Sequence, residues 1–72
     1  MSNDSGIQET DLPEKLAKPM RRALIAAGIV RLDQVATYSE KQLLRLHGVG
    51  AKGIEQLRVA LAERGLSFAP EQ

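Results

Sequence analysis

Leu43-Leu-Arg-Leu-His-Gly-Val-Gly-Ala-Lys-Gly-Ile-Glu-Gln-Leu-Arg-Val-Ala-Leu61 is the stretch that decides the fold. Leucines at 43 and 46 give one helix an apolar side, and Ile54, Leu57 and Leu61 give a second helix another. Between them Gly48-Val49-Gly50 breaks the helical pattern. Gly48 permits positive φ where a helix ends, and a side chain there would be strained. Val49 is expected to point into the core and fix the turn, with Leu43 and Leu46 anchoring the first helix against the second. Gly50 stands where the chain enters the second helix, and its missing Cβ would let another backbone come close. The amides of Gly50, Ala51 and Lys52 should then face outward as unpaired donors at the positive end of a helix dipole. Such an arrangement suits a phosphate, and Lys52 adds a full positive charge beside it. The competing reading is a glycine turn used for geometry alone, with no ligand.

Outward from this stretch the chain keeps reading as helix. Pro13 opens a short turn through Leu16. Pro19 fits the first turn of a helix running from about Lys18 to Ala27, with Met20, Ala23, Leu24 and Ala27 at helical spacing. Gly28 should close it in the left-handed conformation. Leu32 to Thr37 reads as a short helix with Leu32, Val35 and Ala36 inward. Ser39 with Gln42 three residues on is a capping box, which opens a helix from Glu40 to about His47. Tyr38, just before that cap, is placed to pack as a hydrophobic staple. The last helix should run from Ala51 to Arg64, with Val59 or Ala60 completing its buried side. Gly65 closes it, and Leu66 and Phe68 fold back as a terminal plug. No period-two run or hairpin dipeptide signals a strand. The expectation is an all-α fold, a compact bundle of four to five short helices, with the domain over residues 11–69 and a flexible acidic tail over residues 1–10. A faint echo links Gly28-Ile29 and Gly48-Val49, each a glycine and a β-branched residue between helices.

Composition limits the function. The chain has 72 residues and no cysteine, which leaves one small domain, no disulfide and no thiolate site. Residues 1–14 carry Asp4, Glu9, Asp11 and Glu14 with no base, a charge of −4. Residues 15–69 carry all ten Lys and Arg against four acids, a charge of +6. The folded part is thus basic, with a field favourable to polyanions. No Ser–His–acid set, carboxylate pair or P-loop is compelled by spacing, so no catalytic residue is assigned and an enzyme is not expected. His47 is the one histidine; it suits a cap or dipole partner and makes no metal site alone. No cofactor is implied. Two aromatics are too sparse for a base-stacking platform. No apolar run is long enough for a membrane span, and the N-terminal residues lack the order of an export signal, so a cytoplasmic location is expected.

The Gly48–Gly50 turn with its flanking helices resembles the helix-hairpin-helix motif. More broadly, Leu12 to Phe68 resembles the C-terminal domain of the bacterial RNA polymerase alpha subunit. The resemblance lies in Ala27-Gly-Ile29, in Leu43-Leu-Arg-Leu46 and in Glu63-Arg-Gly-Leu-Ser67. The large assembly domain of that subunit is absent, so the chain looks like a free-standing relative. In that family the domain binds DNA along the backbone and minor groove and contacts transcription proteins. The resemblance implies DNA-backbone contacts at Gly50, Lys52 and Gly53, and a phosphate contact at Arg22. Lys18, four residues before Arg22, shares its helix face. Pro19 stands where the family places its principal minor-groove arginine, which removes the side chain that would read an AT-rich groove.

The expected function is therefore a monomeric, largely sequence-independent binder of double-stranded DNA, using Lys18, Arg22, Gly48, Val49, Gly50, Ala51, Lys52 and Gly53. With two to four phosphates neutralised, affinity should be on the order of 10⁻⁴–10⁻⁶ M and steeply salt-dependent. The alternative is a transcription-related adaptor that uses the same fold to dock on a protein without touching nucleic acid.

Overall fold

The structure, a computed structural model, describes residues 10–71; the expected acidic tail lies outside them apart from Thr10, whose Oγ1 accepts a hydrogen bond from the Leu12 amide. Among the described residues there are four helices and no strand, so the all-α expectation holds. These are α1 (Lys18–Ala26), α2 (Leu32–Val35), α3 (Glu40–Leu44) and α4 (Ala51–Glu63).

Each boundary follows from local chemistry. Pro19 occupies the first turn of α1, where its missing donor costs nothing. At the other end Gly28 takes φ +81°, and Gly28 and Ile29 donate to the carbonyls of Ile25 and Leu24. Gly65 repeats the device after α4, with φ +72° and with Gly65 and Leu66 donating to Ala62 and Leu61. Both are paired 5→2 and 6→1 bonds around a left-handed glycine, which satisfy carbonyls a helix end would orphan. The capping box at α3 forms in both directions: the Gln42 amide donates to Ser39 Oγ at 3.2 Å, and the Ser39 amide donates to Gln42 Oε1 at 2.8 Å. α3 is shorter than its leucine pattern suggests and ends at Leu44. The Leu46 amide bonds back three residues to Leu43, and Val49 to Leu46, so the chain tightens into a turn before His47.

The core is aliphatic. Leu12, Leu16, Met20, Leu24, Ile29, Leu32, Val35, Leu43, Val49, Ile54, Leu57 and Leu61 are buried in one cluster. Every helix contributes, which a domain this small needs in order to bury enough apolar surface. The two glycine–β-branched pairs behave alike: Ile29 and Val49 are both buried behind glycines of positive φ. Ala60 packs on the cluster and Val59 stays 53% exposed. Leu66 and Phe68 do fold back onto the core. The Ala69 amide donates to the Tyr38 carbonyl at 2.9 Å, and the Arg58 guanidinium lies over the Phe68 ring, 5.9 Å from its centre.

Two residues that sequence patterns do not single out tie the elements together. Asp11 Oδ1 accepts from the Leu32 amide at the start of α2, at 2.6 Å. Its Oδ2 meets Arg64 at the end of α4, at 3.0 Å. Gln34 Oε1 accepts from the amides of Val30 and Arg31, closing the loop between α1 and α2. No helix among the described residues is long and apolar enough to cross a membrane.

Candidate nucleic-acid interface

The turn between α3 and α4 is built against α1. Gly48 has φ +100°, and a Cβ placed there would lie 2.9 Å from the Pro19 carbonyl oxygen and 3.5 Å from the Ala23 Cβ. The close approach of a second backbone, expected at Gly50, thus occurs at Gly48. Gly50 itself is extended, with φ −125° and ψ 173°. A Cβ there would have nothing within 4 Å, so the space in front of it is open. Val49 is buried and its amide is used internally, donating to Leu46. It shapes the turn and has no N–H left to offer a partner.

The amides that follow are a different matter. Ile54 donates to the Gly50 carbonyl and begins the α4 ladder. The N–H groups of Gly50, Ala51, Lys52 and Gly53 have no hydrogen-bond partner among the described residues. No side chain caps this end, and the first turn of α4 has no acidic residue. Four unpaired donors, three of them on exposed residues (Gly50, Ala51 and Lys52), and an uncompensated dipole therefore sit at one helix start. Lys52 is exposed beside them.

Gly53 has an additional role. It is buried, and a Cβ there would fall 1.8 Å from Met20 Sδ. The small residue is needed so that α1 and α4 can touch, and because it is buried under Met20 it offers a partner little surface, unlike the direct contact the resemblance implies. Gly50, Lys52 and Gly53 line one open groove, of about 620 Å³, together with Lys15, Met20 and Gln56. Nothing in the sequence pattern puts Lys15 there. It precedes α1 in the chain and is brought in by the Gln56 side chain, whose Nε2 donates to the Lys15 carbonyl at 3.4 Å. Only a tertiary contact spanning 41 residues reveals it.

Lys18 and Arg22 are exposed on α1 and do not line this groove. Since Pro19 and Ala23 face Gly48, Arg22 sits about 60° around the helix from Pro19, beside the turn, and Lys18 about 40° further on. Arg21 points elsewhere and donates to the Pro13 carbonyl.

The cations fall into two groups. Arg31 pairs with Asp33, Arg58 with Glu40 and Glu55, and Arg64 with Asp11. The side-chain hydrogen bond from Arg31 holds the Asp33 carboxyl below its ordinary value. In contrast, Lys15, Lys18, Arg22, Lys41, Arg45 and Lys52 have no ion-pair or hydrogen-bond partner for their side chains among the described residues. The cations left unneutralised include all those around the turn.

No known protein family, curated protein or solved structure matches the chain.

Proposed function

We propose that this chain is a small double-stranded DNA-binding module of helix-hairpin-helix type, akin to the C-terminal domain of the polymerase alpha subunit, and that it grips backbone phosphates with little reading of sequence. The observation that carries the reading is the row of unpaired amides on three exposed residues, Gly50, Ala51 and Lys52, with an unpaired lysine side chain beside them. A phosphate oxygen supplies the acceptors these donors lack, and the α4 dipole favours its charge. Lys52 neutralises it. Arg22 and Lys18, flanking the turn on α1, meet further phosphates, and with proline at position 19 no long side chain at that position reaches into the minor groove. Contacts of this kind position a protein on a duplex without selecting bases.

Titration of the protein with a mixed-sequence duplex, followed by amide NMR, tests the reading. Shifts should concentrate at Val49–Ile54. Lys52→Glu should abolish binding while leaving the fold intact, because the side chain is exposed. Shifts absent at low salt, or binding that Lys52→Glu leaves unaltered, would refute it.

A further inference from the structure

The groove in front of α4 has a second wall that the phosphate reading does not use. Lys15 stands on it, held by the Gln56 contact. Gln56 lies one helical turn beyond Lys52 on α4, about 6 Å along the axis. Lys15 is thus fixed next to the turn of α4 that follows the amides, and offset from Lys52 along the groove. Ala17, Met20 and Gly53 line the same groove. No acidic residue lines the groove, and neither lysine side chain has a partner among the described residues. The groove behind Phe68 differs: Glu40 and Glu71 line it, and its Arg58 is paired with Glu40.

Resting on the DNA-binding reading above, we infer that this groove seats a run of one DNA strand. The phosphate at Gly50–Lys52 is followed along that strand by a neighbour held by Lys15, with the intervening sugar against the largely apolar lining. Neighbouring phosphates of one strand are about 3.4 Å apart along the duplex axis and farther apart along the winding backbone itself, a separation that two cations offset by roughly one helical turn can span. Lys15 is then a binding residue, and the strand crosses the start of α4 from the glycine turn toward Gln56.

The test uses the full chain and a labelled mixed-sequence duplex, with anisotropy measured over a salt series for the wild type and for Lys15→Gln, Lys52→Gln and Lys41→Gln. Lys41 is exposed on α3 and lines a different groove. Each phosphate that a variant no longer neutralises should reduce the slope of log K against log salt by about 0.9. The expected result is that reduction for Lys15→Gln and for Lys52→Gln, and an unchanged slope for Lys41→Gln. Amide shifts at Lys15 and Gln56 in the wild type should accompany it. A wild-type slope in Lys15→Gln, with Lys52→Gln reduced, overturns the second wall and leaves the DNA reading standing. Equal reductions in all three variants mean a general charge effect and also overturn it. A wild-type chain that ignores the duplex at low salt, but takes up poly-glutamate in a Lys15-dependent way, removes both readings and points to an acidic protein surface.

Discussion

Three glycines within six residues of the turn carry three different constraints, and alanine at each separates them. At position 48 the backbone has φ +100° and faces a carbonyl oxygen 2.9 Å from where a Cβ would lie. A backbone atom cannot swing away, so Gly48→Ala should destabilise by about 1–3 kcal/mol, read as an earlier urea midpoint. At position 53 the obstacle is Met20 Sδ, the far part of a flexible side chain. Gly53→Ala forces it to repack inside the core at a cost of about 1–2 kcal/mol, and should be the milder of the two. Gly50 has an extended backbone that any residue can adopt and open space in front. Gly50→Ala should leave the unfolding midpoint within about 0.5 kcal/mol of wild type, yet weaken DNA binding by placing a methyl group where a phosphate would sit. Binding that survives Gly50→Ala at wild-type strength would contradict the phosphate position. The sequence marks the first two as glycines of a turn and the third as a glycine in the opening turn of a helix. It does not say which one the folded chain itself crowds, since that depends on α1 arriving at the turn from 29 residues upstream (Pro19 to Gly48).

At the scale of elements, what is legible in the sequence is what is local. Ser39 with Gln42, Gly28 and Gly65 are signals whose partners lie within five residues, so the ends they set can be read directly. Leucine spacing likewise identifies the buried side of α4. The length of α3 is overestimated because Leu46 stays apolar and half-buried while its amide has already left the α-helical pattern. The role of Asp11 is hidden altogether. Counted by charge it belongs to an acidic leader, whereas in the fold it accepts from α2 across 21 residues and pairs with α4 across 53. Two variants divide those tasks. Asp11→Ala leaves the Leu32 amide without its acceptor and should cost about 1–2 kcal/mol. Asp11→Asn keeps an oxygen for that amide and loses only the ion pair with a half-exposed Arg64, about 0.2–1 kcal/mol. Urea unfolding of both variants checks the order; equal losses would mean that the ion pair, not the cap, ties the elements.

Across the whole molecule, the forces that hold the fold and those assigned to binding differ in kind, and salt separates them. The core is twelve buried apolar residues, and apolar burial responds little to moderate ionic strength. The ion pairs sit on the surface, with side chains from 27% to 67% exposed, where each contributes little and is screened early. The proposed DNA binding, through two to four phosphates, would have a log–log salt slope of about −1.8 to −3.6. Raising salt from about 50 to 200 mM should therefore cut affinity by roughly 10- to 150-fold, while the melting temperature of the free protein moves by no more than a degree or two. Bound duplex adds to stability by mass action, so at 50 mM salt saturating DNA should raise the melting temperature, and at 200 mM most of that increment should be gone. Calorimetry of free and DNA-saturated protein at the two salt concentrations measures all of these together. A free-protein melting temperature that falls steeply with salt would place surface ion pairs among the main supports of the fold. A DNA increment that persists at 200 mM would require contacts other than phosphate neutralisation, and a reading in which base edges or the protein's apolar surface take part.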